Sequence, residues 1–249
     1  MNKFMIGVIT KDRYNGLESL LISLQNLLFA VIVVDASDNF NNHCADKYIP
    51  RKYILNQTKQ NAVVYNKNLL MNIFLNSNCD YLFLIEDDVK ITNINIFQIY
   101  IEICQKYGFY HLCFNGTPEK HKNYILNDDI RIYRRLDGKF CLFTKECLQK
   151  VGLMNQKLCY NCFEHVEHSA RIHQYYNYQP VFGHFPDYID TYKYIQYQKI
   201  KSIIGDSRKF KEYQPSWFEF IRSLGWENGI PKNQNKKFQL PNVEQIISS

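Results

Sequence analysis

The run Tyr81-Leu82-Phe83-Leu84-Ile85 leads without a break into Glu86-Asp87-Asp88. A strand that is apolar at successive positions has to be covered on both faces, which is the habit of a parallel strand inside an α/β sheet. The sequence therefore predicts a strand over 80–85 in the interior of a sheet, with three adjacent carboxylates at its carboxyl end. Ligands of open α/β sheets bind just beyond that edge. Three acids held there out of water need cationic partners, and a hard divalent metal carrying a phosphorylated ligand would be one. A solvated acidic turn is the other reading of the same residues.

The surrounding pattern supports such a sheet. Residues 4–10 and 30–34 are short apolar runs, and Leu17, Leu20, Leu21, Leu24, Leu27 and Leu28 recur between them at helical spacing. Strand, helix and strand in some thirty residues make one βαβ unit with a right-handed crossover. A short strand is expected at 53–55, helices over 66–75 and 94–107, and a strand over 109–114. After the turn Asn115-Gly116-Thr117-Pro118 the pattern changes. Residues 123–140 read as a polar hairpin, 140–144 as a strand, and 145–151 as a short helix stopped by Gly152. A helix over 163–176 and a last core strand over 180–184 complete the expectation. Residues 1–190 then form one α/β domain, with 1–115 as its nucleotide-binding half. Residues 191–249 form an aromatic and basic extension with Trp217, Phe218, Phe220 and Trp226, whose default is to pack as helices on the core.

Composition excludes several classes. With 46% hydrophobic and 22% charged residues, the 249-residue chain is globular and not disordered. A net charge of +6 suits anionic ligands, and without a basic helix or an RNA-recognition signature it gives no case for nucleic acid. The opening apolar run is too short for a secretion signal, and no run of about 18 apolar residues occurs. Eight cysteines without an export signal read as reduced thiols. The expected address is cytoplasmic, with the inner face of a membrane left open. Oligomeric state is not legible.

Asp35 closes the second strand on the same carboxyl edge as Glu86, Asp87 and Asp88, and Thr10, Asp12 and Arg13 close the first. No GxGxxG follows the first strand and no GxxxxGK[ST] occurs anywhere, so neither a Rossmann dinucleotide site nor a P-loop is supported. Phosphates would be held by a metal and by side chains.

Thr10-Lys11-Asp12-Arg13, Val33-Val34-Asp35-Ala36-Ser37, Asn66-Lys67-Asn68 and Leu84-Ile85-Glu86-Asp87-Asp88, in that order, resemble the nucleotide-sugar half of GT-A glycosyltransferases, most closely the family 2 type. The resemblance covers about residues 4–190. It implies a GT-A fold: a mostly parallel sheet flanked by helices, with an acceptor-side hairpin over part of 116–190. It also implies a nucleoside-diphosphate sugar as donor, a hydroxyl of a glycan or lipid-linked acceptor, and Mn²⁺ or Mg²⁺ as cofactor. Glu86-Asp87-Asp88 takes the place of the family's Asp-x-Asp, with Glu for the first Asp. The implied metal ligands are Asp88, Glu86 and His184. Thr10, Asp12, Arg13, Asp35, Lys67 and Asp87 are implied to border the nucleotide sugar, Arg13 and Lys67 offsetting phosphate charge.

The likeness continues on the acceptor side, where Phe163-Glu164-His165-Val166-Glu167 with Arg171 resembles the segment carrying the family's Glu-Asp motif. His165 stands where inverting members carry an Asp base. Its ordinary pKa suits a general base near neutrality, and Glu164 and Glu167 are the alternatives. The resemblance favours inversion and leaves retention open. On a helix, Glu164, Glu167, His168 and Arg171 share one face, which is also the pattern of a solvated salt-bridge face. Cys159-x2-Cys162-x2-His165-x2-His168 has zinc-type ligands at a spacing too short for a finger. Two further functions remain as alternatives: a glycan- or partner-binding descendant without activity, and a nucleotidyltransferase, for which Asp12 to Gly16 is a poor phosphate loop.

Overall fold

The computed structural model describes residues 3–27, 29–37, 54–55, 63–120, 122–134, 136–156, 164–178, 184–198, 226–227 and 230–231. Its centre is a six-stranded sheet built from β1 (Phe4–Thr10), β2 (Ala30–Asp35), β3 (Ile54–Leu55), β4 (Tyr81–Glu86), β6 (His111–Cys113) and β9 (Phe140–Thr144), in the order β3-β2-β1-β4-β9-β6. The first four neighbours run parallel, and β9 runs antiparallel between β4 and β6. Strand order reverses beside β1, where open α/β sheets form their ligand crevice.

Alternation along the strands sorts side chains into two cores. Ile6, Val8, Val33, Phe83 and Ile85 pack with Leu17, Leu20 and Leu24 of α1 (Tyr14–Leu24) and with Phe97 and Tyr100 of α3 (Asn95–Tyr107). Met5, Ile9, Val34, Leu82 and Leu84 pack on the other face with α2 (Val63–Leu75), α4 (Lys145–Val151) and α5 (Glu164–Tyr175). Much of the high aromatic content lies in the first core, where Phe83 meets Phe97 edge-on at 4.8 Å. Gly7 lets α2 approach the sheet, since a Cβ there would stand 3.1 Å from Leu70 Cδ1.

Three small sheets decorate this body. The expected hairpin is β7 (Asn123–Ile125) with β8 (Ile130–Tyr133), extended by β10 (Phe185–Tyr188). Of the last core strand predicted over 180–184, residues 180–183 lie outside the described residues. His184 immediately precedes β10, whose partner is β8 of the small sheet. Strands β5 (Val89–Ile91) and β11 (Ile195–Tyr197) were not anticipated; they pair antiparallel beside the acidic turn. Gln198 N–H donates to Asp88 O at 2.7 Å. Residues 191–198, assigned by the sequence to the extension, are thereby tied to the domain. β12 (Trp226–Glu227) and β13 (Ile230–Pro231) form a separate pair, and the patch at Trp217, Phe218 and Phe220 lies outside the described residues.

Candidate active site

Register brings the expected residues to one edge. Thr10 pairs with Asp35 across β1 and β2, and Ile9 pairs with Glu86 across β1 and β4. Ile85 pairs with Phe140, so the residues preceding antiparallel β9 stand at the same edge, and Glu86 N–H donates to Lys139 O at 2.9 Å. Asp35 is fully buried and its Oδ1 accepts the Ser37 N–H at 2.7 Å, the usual way an Asp turns a chain out of a strand. Ser37 Oγ in turn accepts the N–H of Asp12, which holds a left-handed φ of 50°.

The acidic turn is buried and laced with cations from the chain. Thr10 Oγ1 donates to Asp87 Oδ2 at 2.6 Å, and Arg13 Nη2 stands 2.8 Å from Asp87 Oδ1. Burial outweighs these contacts and pushes Asp87 up to about 7. Asp88 Oδ2 accepts from Lys139 Nζ at 2.6 Å, with Arg13 Nη1 at 3.6 Å. Burial and the nearby Glu86 charge raise the Asp88 pKa, against Lys139 and Arg13. The solvated-turn reading is thereby set aside: Asp87 and Asp88 are 0% and 5% exposed.

Below the turn sits a second cluster. Lys67, on α2 and fully buried, donates from Nζ to Glu86 Oε1 at 2.7 Å and to Glu164 Oε1 at 3.0 Å, and its Nζ also touches His165 Nε2. Burial alone would lower the Lys67 pKa, but the charges of Glu86 and Glu164 hold it above its ordinary value. The same ammonium, working against burial, draws Glu86 down to about 2 and Glu164 below the ordinary carboxylate range. For His165, burial and Lys67 pull down while Glu164 and a hydrogen bond with Cys141 pull up, and the upward pull wins. Two carboxylates thus face two cationic side chains, Lys67 and His165, in a charge-balanced cluster. Gly138, at φ +70°, lies flat against this imidazole; a Cβ there would fall 2.1 Å from His165 Cδ2.

The helix face predicted for α5 divides. Glu164 and His165 turn into the cluster. Glu167 pairs with Arg171, whose Nη1 and Nη2 donate to Val151 O at 2.8 Å and Leu153 O at 2.7 Å. His168 Nε2 meets Gly152 O at 2.8 Å. Glu164, Glu167 and His168 are all buried, so this is a packed face and not a solvated one. His165 and His168 serve different neighbours, and Cys159 and Cys162 lie outside the described residues. His184 contacts Arg134 and lies edge-on to Tyr124. Among the described residues, one group of three acidic, His or Cys side chains converges closely enough for a metal: Glu86, Glu164 and His165, with ligand atoms within 4.8 Å of one another. Asp88 and His184 are not part of it.

Sequence reasoning missed Gly138, Lys139 and Cys141. Their signal was the strand over 140–144: once paired antiparallel with the strand over 80–85, it places Lys139 against Glu86.

The residues present fit a divalent cation. Asp88 Oδ1 is buried and has no hydrogen-bond partner, which leaves an anionic oxygen at the turn unsatisfied. Carboxylate oxygens suit Mn²⁺ and Mg²⁺. A cation among Glu86, Glu164 and His165 would have to displace the Lys67 ammonium, whereas Asp88 Oδ1 has no such competitor.

No protein-family model and no curated protein sequence matches this chain. Solved structures do. TarS of S. aureus superposes with a TM-score of 0.52 at 15% identity, over 68% of this chain and 33% of TarS. The mannosyltransferase PcManGT of Pyrobaculum calidifontis, in complex with GDP-Man and Mn²⁺, superposes with a TM-score of 0.50 at 9% identity, over 68% of this chain and 52% of that one. The chain thus spans about a third to a half of the lengths of these structures. At such identities the likeness gives architecture alone: the chain has the GT-A fold of glycosyltransferases, as the resemblance implied.

Proposed function

We propose that this protein transfers a sugar from a nucleoside-diphosphate sugar to a hydroxyl of a glycan or lipid-linked acceptor. The observation that carries the reading is the meeting, at one carboxyl edge of a GT-A sheet, of Asp35, Arg13 and the Glu86–Asp88 turn with Glu164 and His165 from α5. Support also comes from the GDP-Man and Mn²⁺ held by a protein of similar fold.

Asp35 and Asp12 would border the nucleoside, and Arg13 would move from Asp87 and Asp88 toward the diphosphate. Asp88 and Glu86 are the residues that would hold Mn²⁺ or Mg²⁺, which when bound offsets the charge of the departing diphosphate. His184 drops out of this set because it is engaged by Arg134. Glu167 drops out of the candidate bases because it clamps the 151–153 loop through Arg171. The acceptor proton falls to His165 or Glu164. In the described arrangement Lys67 Nζ abuts His165 Nε2, so His165 would serve as base only once a donor phosphate draws Lys67 away and the imidazole has given up its proton.

Incubation with UDP-, GDP- and dTDP-sugars and Mn²⁺ tests the reading. Slow metal-dependent donor hydrolysis is the expected result, and formation of nucleoside triphosphate when inorganic pyrophosphate is added would instead mark a nucleotidyltransferase. The capture of His165 by Lys67 also supports a second reading, a binding protein without turnover; metal-dependent donor binding with no hydrolysis would select it. Among the described residues no helix is long and apolar enough to cross a membrane.

A further inference from the structure

Behind the candidate site, two cysteines that the mechanism does not use face each other across β6 and β9. Cys113 and Cys141 are register partners in this antiparallel pair. Phe114 N–H donates to Phe140 O at 2.9 Å, so the residues one step further in form a non-hydrogen-bonded pair, the position where facing side chains stand closest. The two thiols are both free, both buried, and 3.1 Å apart at Sγ. Closing that gap to a bond of about 2.0 Å needs a movement of about 1 Å, and strand partners at this spacing meet the Cα separation that disulfides require. None of the other described cysteines, Cys79, Cys104 and Cys147, is paired in register with a cysteine.

The surroundings favour chemistry at this pair over inert packing. His111 Nδ1 lies 2.8 Å from Leu142 O, which fixes its proton on that nitrogen because a carbonyl only accepts. His111 Nε2 is therefore an acceptor, 2.8 Å from Ser169 Oγ and 3.0 Å from Cys113 Sγ. Cys113 Sγ donates to Cys141 Sγ, which leaves Cys141 the better placed of the two to be the thiolate. On the other side Cys141 is hydrogen-bonded to His165 of the candidate site.

We infer that Cys113 and Cys141 form a reversible cross-strand disulfide, a redox modification site set directly behind the Lys67–Glu164–His165 cluster. With a hydroperoxide as oxidant, one cysteine attacks the O–O bond as thiolate and becomes a sulfenic acid, releasing water or an alcohol. The second thiol then attacks that sulfur, the S–S bond forms, and a water leaves. Two electrons pass from the sulfurs to the peroxide, and the two thiol protons end in the released molecules. A small dithiol reverses the step by exchange. Oxidation also withdraws the Cys141 thiol from His165. That consequence for turnover rests on the sugar-transfer reading, whereas the bond itself does not.

The test treats the full chain with hydrogen peroxide, alkylates the denatured protein, and maps tryptic peptides with and without a reducing step. Cleavage at lysine places Cys113 in 107–120 and Cys141 in 140–145, one cysteine in each. The expected result is a linked 107–120/140–145 species lighter than the sum of its reduced parts by two hydrogens. It should return to two alkylated peptides after dithiothreitol and be lost in Cys113→Ser. The inference is overturned if both cysteines remain alkylatable at peroxide levels that oxidise the other thiols, or if either links elsewhere. If the linked species forms and donor turnover is unchanged, the site stands and the coupling to His165 fails.

Discussion

Glu164 and Asp187 are both buried acids in this fold, and their surroundings drive them in opposite directions. Glu164 shares the Lys67 ammonium with Glu86 and is held below the ordinary carboxylate range. Asp187, on β10, is met by hydroxyls instead: Tyr100 donates to its Oδ1, and Thr191 Oγ1 donates to the same oxygen at 2.8 Å. Neutral donors do not offset the loss of water, and burial pushes Asp187 up to about 7. A formal charge beside a carboxylate makes a site that stays anionic. Hydroxyls beside it make a structural knot that takes up a proton.

The contrast breaks most visibly at Lys67. Lys67→Met would leave Glu86 and Glu164 facing each other without their shared cation, and should cost about 3–5 kcal/mol in urea unfolding. If the loss stays below about 1 kcal/mol, the cluster is not the charge-balanced unit described.

Asp187 gives a pH test of the other side. Its folded pKa of about 7 exceeds the ordinary 3.8, so across that interval the folded state holds a proton the unfolded state has released. The stabilisation is complete below about pH 4 and is lost as pH rises through about 7, on the order of a few kcal/mol. Glu86 slopes the opposite way: its contribution is present above the ordinary 4.5 and is lost as pH falls toward about 2. Subtracting the stability profile of Asp187→Asn from that of the parent chain should isolate a term that declines between pH 4 and 7. A flat difference would contradict the assignment.

Within α5 the same contrast is milder. Arg171→Met removes the clamp on the 151–153 loop and should cost about 1–3 kcal/mol by leaving Glu167 and two carbonyls short of partners. Donor hydrolysis should change little. By comparison, Glu164→Gln or a change at His165 should lower transfer by about 10²–10⁴-fold with smaller effects on unfolding. If Arg171→Met proved the more damaging to hydrolysis, the division of the helix into a reactive first turn and a structural second would fail.

These pairs also show what a sequence discloses. Glu167 and Arg171 are one helical turn apart, so their partnership was legible from spacing. The apolar runs at 4–10, 30–34 and 80–85 announced the parallel strands, and their ends announced Asp35 and the acidic turn. The Lys67–Glu164 contact spans 97 positions and the Tyr100–Asp187 contact spans 87. Pairings of that kind follow from topology and not from local pattern. The run beginning at Pro180 lies outside the described residues up to His184, and the strand that follows, Phe185–Tyr188, carries Pro186 and joins the small sheet. Pro in a strand points to a small or edge sheet, and that signal was available.

The central claim is that the acidic turn, through Asp88, takes a divalent cation together with a nucleoside-diphosphate sugar. Thermal unfolding of the parent chain and of Asp88→Asn, each with a panel of nucleotide sugars with and without Mn²⁺, tests it most directly, since a ligand of the folded state raises its apparent stability by mass action. The account predicts a rise for the parent chain that needs both donor and Mn²⁺, with its metal-dependent part absent in Asp88→Asn. A donor shift independent of Mn²⁺, or one fully kept in Asp88→Asn, would contradict it.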